Sequence, residues 1–330
     1  MMNPLQAGPL CFRPFLRPMV WGGRRLGEKL GKELPTDALY GESWEVSDHP
    51  LHRSVVAVGP YAGRTLRDLM EQDRPALLRA AARTCTVFPW LVKFLDAHDW
   101  LSVQVHPDEE AVRRLWPGEG SKTEAWFVLD VLPGARIYAG LLPGVDEAAF
   151  RTALAKGTVA ECLHNFEPRP GDCVFLPAGT VHAVGGGVLI AEVQQTSDAT
   201  FRLFDWNRRD AQGKSRPLDI DKGLASIHWD QGPVTPVHAD AYQGSACGRQ
   251  TLVHCRYFHL EYVSENEPFW CGGQGVLQAV LVLAGAGRLQ SADGEYALRV
   301  GQTWVLPAAA LAVQLRPEGR LGCLVCSLPG

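Results

Sequence analysis

The sequence has no apolar run long enough to cross a membrane as a helix. Its longest, 276–287, is interrupted by Gln278 and falls short of the roughly 20 residues a spanning helix needs. Charge of one sign is missing too. The 32 Lys+Arg against 36 Asp+Glu leave a formal net charge of −4, which excludes the basic surface a dedicated nucleic-acid binder needs. Pro4, Pro9 and Arg13 break any apolar stretch in the first residues, so no signal peptide is expected. No Walker-type loop or GxGxxG precedes a helix, which removes support for nucleotide binding. A second CxxC is also absent. The one present, Cys323 and Cys326, lies in the strand-like run LGCLVCSL, where residues three apart point to opposite faces. It is therefore neither half a zinc site nor a redox pair. The nine cysteines are odd in number and scattered, which fits reduced thiols and a cytoplasmic protein.

The 330 residues, 46% hydrophobic and 21% charged, hold material for about two globular domains. Gly at 34 and Pro at 23 favour a turn-rich, strand-rich fold over a helical bundle. Helical spacing is clearest over 65–84, with Pro75 at a first helical position. Shorter helices are expected over 108–115, with Asp108 as N-cap, over 146–155, near 159–165 and over 218–227. Strands are expected at 43–46, 54–58, 90–95, 101–105, 125–129 and 135–139, then through CVFLP, GVLIAEVQQ and FRLFDW. Residues 208–216 read as a polar connection and 235–248 as a linker.

One internal repeat sets the architecture. Gly171 opens GDCVFLPAGTVHAV and Gly301 opens GQTWVLPAAALAVQL: a glycine, five residues, Pro-Ala, then an apolar stretch. The first copy's G-x5-P-x-G-x2-H resembles the second motif of cupins, small jelly-roll barrels in which a glycine turn feeds a buried strand. The second copy has Ala309 for Gly179 and Ala312 for His182. The expected fold is mainly β: two cupin barrels with an inserted or peripheral helical segment. Residues 1–235 would form the catalytic domain, including a helical segment at 64–98. Residues 245–330 would form a degenerate C-terminal cupin without a metal site.

In LSVQVHP, strand alternation puts Ser102, Gln104 and His106 on one face with Val103 and Val105 behind. Lys122 and Glu124 share a face on the next strand, and His182 ends the LPAGTVHA turn. On an inner barrel face such groups need partners or a metal. One carboxylate, two imidazoles and an amide oxygen suit zinc, with iron or manganese as alternatives.

Six strings in order, YGESWEVSDHP, FPWLVKFLDA, LSVQVHPDEE, KTEAWFVL, GDCVFLPAGTVHAV and IAEVQQTSDATFRLFDWNR, give the chain its resemblance to type I mannose-6-phosphate isomerases, particularly the short bacterial form. The resemblance covers most of residues 12–230 and, more weakly, the C-terminal barrel. It implies a cupin fold, one zinc ion per chain, and interconversion of mannose 6-phosphate with fructose 6-phosphate. It implies Gln104, His106, Glu124 and His182 as metal ligands, although generic cupin spacing would point to Glu110 instead of Glu124. Arg202 matches the family's active-site arginine. Lys122 and Glu192 match positions for the proton-transfer residue, and both remain candidates. Trp21, Glu42, Lys93, Ser102 and Asp198 match pocket-lining positions. Arg208 stands where longer relatives carry a basic residue near the phosphate.

These residue types suit an aldose–ketose isomerisation through an enediol, which needs a base and stabilisation of a developing oxyanion. Glu192 serves as base as it stands, whereas Lys122 first needs its pKa lowered. Arg202 and Arg208 offer planar forks to a phosphate dianion. The expected partner is a small sugar phosphate, with no nucleic acid, membrane or obligate protein partner. The rival readings are another metal enzyme on this scaffold, such as a different sugar-phosphate isomerase, and a non-catalytic, metal-containing sugar-binding cupin.

Overall fold

A computed structural model describes residues 8–118, 120–209, 213–242, 244 and 246–329. Pro4, residues 210–212 of the polar connection and residues 243 and 245 of the expected linker lie outside them. The described chain is mainly antiparallel β-structure. A seven-stranded sheet runs in the order Val237–His238, Asp172–Leu176, Glu124–Val131, Val188–Gln195, Trp90–Ala97, Tyr40–Val46, Phe15–Gly23. Facing it is a five-stranded sheet, in the order Leu163–Phe166, Ile137–Leu141, His182–Val184, Val103–Val105, Phe201–Phe204. Seven C-terminal strands, joined by the N-terminal Leu10–Cys11, build an eight-stranded sheet around two long strands, Gln278–Ser291 and Val313–Ser327.

The long apolar runs follow from burial on both faces of the seven-stranded sheet. Trp126, Val128, Val188 and Ile190 point toward Ile137, Ala139 and Val184 of the five-stranded sheet. Their neighbours Phe127, Leu189 and Ala191 point the other way, into a core shared with Leu260, Tyr262, Leu281 and Leu324 of the C-terminal sheet. Val103, Val105, Phe201 and Leu203 back the five-stranded sheet against Phe150 and Leu224 of two short helices. Cys323 and Cys326 fall into different cores, as alternation requires, and the nine cysteines are unpaired. No helix among the described residues is long and apolar enough to cross a membrane.

Several expected elements take another form. The helix over 65–84 is Leu66–Leu78, started by a capping box in which Thr65 and Asp68 exchange hydrogen bonds. It kinks at Asp73, whose Oδ1 accepts from Ala76 N at 3.0 Å and caps the turn containing Pro75. A 3₁₀ segment, Arg79–Arg83, follows. Helical structure therefore stops well before 98, because Trp90–Ala97 is paired in the seven-stranded sheet. Residues 54–58 make only isolated bridges. The second helix near 159–165 is a 3₁₀ turn, Val159–Cys162, and then the strand Leu163–Phe166, pulled out of helix by pairing with Ile137–Leu141. The expected linker holds Val237–His238, which pairs with Asp172 and Cys173. Leu10–Cys11 crosses the molecule to pair with Thr303–Leu306 of the C-terminal sheet.

Candidate active site

One end of the space between the seven- and five-stranded sheets is polar. His106, Glu124 and His182 meet there, exposed by 2%, 0% and 1%. Their candidate ligand atoms all lie within 4.8 Å of one another. Glu124 Oε1 stands 3.2 Å from His182 Nε2 and 3.6 Å from His106 Nε2. Each imidazole is anchored on its other side. His106 Nδ1 donates to the carbonyl of Ala199 at 2.7 Å and His182 Nδ1 to that of Thr180 at 2.9 Å. Those bonds fix the tautomer and leave both Nε2 lone pairs facing the carboxylate, the arrangement that metal-ligating histidines use. Burial, reinforced by the Lys122 charge, pushes His106 down to about 3, and burial lowers His182 as well. Both rings are therefore neutral. The Gln104 amide is 3.2 Å from His182 Nε2, and turned over it presents its oxygen to the same centre.

Neither oxygen of Glu124 accepts a hydrogen bond, although Oε2 has the Lys122 ammonium at 2.7 Å. Burial raises this carboxyl, but the adjacent Lys122 ammonium outweighs it and holds Glu124 well below the usual carboxylate range. A buried anion between two neutral imidazoles, its oxygens without hydrogen bonds, fits a divalent cation. Glu110, by contrast, lies on the surface helix Glu109–Leu115, its side chain 69% exposed and 3.7 Å from Arg114. The turn before His182 needs glycine. Gly179 has φ 87°, and a Cβ there would meet the His228 ring at 2.5 Å.

Above this cluster lies a cavity of about 270 Å³, lined by Trp21, Glu42, Lys93, Ser102, Gln104, Lys122, Glu192, Asp198 and Arg202. Glu192 Oε1 is 3.4 Å from Lys93 Nζ and 3.9 Å from Lys122 Nζ and accepts no hydrogen bond. Burial raises its pKa despite the two ammonium groups. For Lys122, burial acts downward, but Glu124 and Glu192 prevail and raise its pKa. It is held as an ammonium, contrary to what a lysine base needs. Glu42 is tied down by Trp44 Nε1 at 2.7 Å and Arg17 at 2.8 Å.

Arg202 pairs in register with Gln104. Its Nε donates to Ser102 Oγ at 3.3 Å and its Nη1 to the Pro217 carbonyl at 3.0 Å. Strict alternation puts Phe204 on Arg202's face. An irregularity between the two residues turns Phe204 over instead, into the core with Phe201 and Leu203. Arg208 does not line this cavity. It bonds Asp205 at 2.5 Å and the Trp100 carbonyl, and it faces an adjoining cavity. Arg17 and Arg216 do line the main cavity, and sequence reasoning missed both. Neither lies in a quoted motif with its function visible from spacing.

The fold and this site define a mainly β enzyme of cupin type with a buried His/Glu/His centre. The sequence model for the catalytic domain of type I phosphomannose isomerases matches residues 12–124. Mannose-6-phosphate isomerase ManA of Bacillus subtilis is 34% identical over 321 residues, covering 97% of this chain and 99% of that protein. The mannose-6-phosphate isomerase of Streptococcus mutans serotype c is 35% identical over 303 residues, covering 91% and 93%. The crystal structure of mannose 6-phosphate isomerase from Bacillus subtilis superposes with a TM-score of 0.84 at 30% identity, covering 97% and 99%. The chain belongs to the type I phosphomannose isomerase family.

Proposed function

We propose that this chain interconverts mannose 6-phosphate and fructose 6-phosphate in the cavity above the His106, Glu124 and His182 cluster, with one zinc ion held by those residues and Gln104. The observation that carries the reading is a single cavity lined by Gln104 and Lys122, which contact that cluster, by a buried carboxylate with raised pKa and by an arginine with no carboxylate in ion-pair distance among the described residues. A zinc ion so held supplies a Lewis acid beside the substrate's reacting oxygens.

Glu192 is the proton carrier in this reading. The reaction takes a proton from C2 of the aldose and returns it to C1, so the group must both accept and release it. A buried carboxyl with a raised pKa and no hydrogen bond on Oε1 suits both halves. Lys122, held charged by Glu124 and Glu192, steadies negative charge developing on the sugar oxygens. Lys93 keeps Glu192 in place at 3.4 Å. Arg202 meets the phosphate. Among the described residues no carboxylate lies within ion-pair distance of it, and Ser102 orients its fork. Trp21, Glu42 and Asp198 shape the walls. Arg208, already bound to Asp205 and the Trp100 carbonyl, makes no substrate contact.

Residues 1–235, extended by the strand Val237–His238, form the catalytic unit, and 245–330, completed at one edge by Leu10–Cys11, a second, metal-free copy. Where the first copy's turn faces the metal cluster, the second copy's turn is spent on the helix Leu66–Leu78: Ala308 N and Ala309 N donate to the carbonyls of Leu77 and Ala76, both at 2.9 Å. The test is appearance of fructose 6-phosphate from mannose 6-phosphate in a coupled assay, with unphosphorylated mannose alongside. Turnover of the phosphate ester and little of mannose is expected. Tight binding of the ester without turnover would replace the isomerase with a sugar-phosphate-binding protein.

A further inference from the structure

Arg216 lines both the cavity above the metal cluster and an adjoining one of about 460 Å³. How it gets there depends on an unusual piece of backbone. After the strand Phe201–Phe204 and Asp205, two consecutive non-glycine residues, Trp206 and Asn207, take left-handed φ of 55° and 56°. Such a conformation is costly for side-chain-bearing residues and persists only where packing fixes it. Here the indole does so. Trp206 Nε1 donates to the Leu101 carbonyl at 2.6 Å, and its ring lies 4.8 Å from that of Trp100. The reversal leaves Asp205, only 6% exposed, facing the returning chain. Arg216 Nε donates to Asp205 Oδ2 at 2.7 Å, Arg216 Nη2 reaches Oδ1, and Arg208 Nη2 donates to the same Oδ1 at 2.5 Å.

Asp205 thus holds two guanidinium groups, and Arg208 has Asp99 as a second partner at 3.5 Å. The positive surplus belongs to the cavity lining, where Arg17, Lys93, Lys122, Arg202 and Arg216 outnumber Glu42, Glu192 and Asp198. Asp205 occupies the Nε–Nη2 edge of Arg216 and leaves Nη1 without a protein partner among the described residues. Arg202, lining the same cavity, has no carboxylate in ion-pair distance among the described residues, and burial together with the neighbouring Arg216 charge lowers its pKa. Two guanidinium groups lining one cavity whose basic groups outnumber its carboxylates call for a dianion between them.

We propose that Arg216 is a second guanidinium gripping the substrate phosphate beside Arg202, and that Asp205 is the positioning residue that holds its fork in place. Selection of phosphorylated over free sugar is then shared between Arg202 and the Asp205–Arg216 pair. This rests on the sugar-phosphate reading above, yet it is testable without turnover.

The test measures calorimetric affinity of the zinc-loaded full chain for inorganic phosphate, together with KM and kcat for mannose 6-phosphate. The proteins are wild type, Arg216→Gln, the isosteric Asp205→Asn, and the double variant, with zinc content and melting temperature recorded for each. Each single variant is expected to weaken phosphate binding by about 10- to 100-fold, the worth of a hydrogen bond to a charged group. KM should rise by a similar factor and by more than kcat falls. In the Arg216→Gln background, Asp205→Asn should add little, because it acts through Arg216. A merely structural role for Asp205 gives effects that multiply instead, and that result overturns the positioning claim. Unchanged phosphate affinity and KM in Arg216→Gln overturn the whole inference. If wild type binds phosphate but turns over no mannose 6-phosphate, the isomerase reading fails, and the phosphate affinities still decide the role of Arg216.

Discussion

Glu124→Gln isolates the charge at the centre of the cluster while keeping its shape. The change has two consequences of different size. Gln keeps one carbonyl oxygen but removes the anion, and outer partners of metal ligands alone are typically worth 10- to 100-fold in affinity. Loss of a charged ligand should therefore weaken zinc binding by more than about 100-fold. In metal-free protein the effect is on stability. Lys122, exposed by only 4%, loses its partner at 2.7 Å and keeps His106 Nε2 at 3.2 Å and the Glu192 carboxylate at 3.9 Å. Breaking a buried pair by removing one partner costs about 3–5 kcal/mol. The remaining carboxylate puts this case near the lower end, about 3 kcal/mol. At roughly 2.1 cal/mol/K per residue, 330 residues unfolding together carry about 0.7 kcal/mol/K, so the midpoint should fall by about 4 °C. Calorimetry of metal-stripped wild type and variant, with and without zinc, reads both effects. Adding Lys122→Met should recover part of the loss by removing the stranded ammonium. A metal-stripped variant that melts within about 1 °C of wild type and still takes up one zinc per chain would refute the reasoning.

Arg202→Ala, folded and zinc-loaded, should lose about 10²–10⁴-fold in kcat/KM. Lysine should restore only part, because a point charge replaces a planar fork, and steady-state kinetics with metal analysis checks both. Glu110→Gln should bind zinc as wild type does, since its side chain is 69% exposed beside Arg114; metal content that follows Glu110 would restore the generic cupin spacing as the correct ligand rule.

The ligand-type residues were legible because strand period and motif agree. Gln104 and His106 alternate with Val103 and Val105, and the polar pair faces the cavity while the valines face a core. The strands of the doubly buried sheet were legible as apolar runs. What escaped depends on partners distant in sequence. The segment Leu163–Phe166 is a strand because Ile137–Leu141 offers an edge, and nothing within the segment says so. Phe204 changes face through a local irregularity that strict alternation does not foresee. Arg216 reaches the cavity through the left-handed turn at Trp206 and Asn207, residues whose side chains ordinarily disfavour it. The N-terminal pair Leu10–Cys11, where no strand was expected, completes an edge of the C-terminal sheet nearly three hundred residues away.

The central claim joins an isomerisation to the His106, Glu124 and His182 cluster, and zinc add-back tests it most directly. Metal-stripped full chain is titrated with zinc while the rate of fructose 6-phosphate formation from mannose 6-phosphate is followed, with circular dichroism as a control for folding. The account predicts a folded but inactive stripped protein, since buried cores on both sides of the sheet need no ion to form. Activity should then rise linearly and saturate at one zinc per chain. Full turnover in the stripped protein, or a folded and zinc-saturated protein that forms no fructose 6-phosphate, would contradict it.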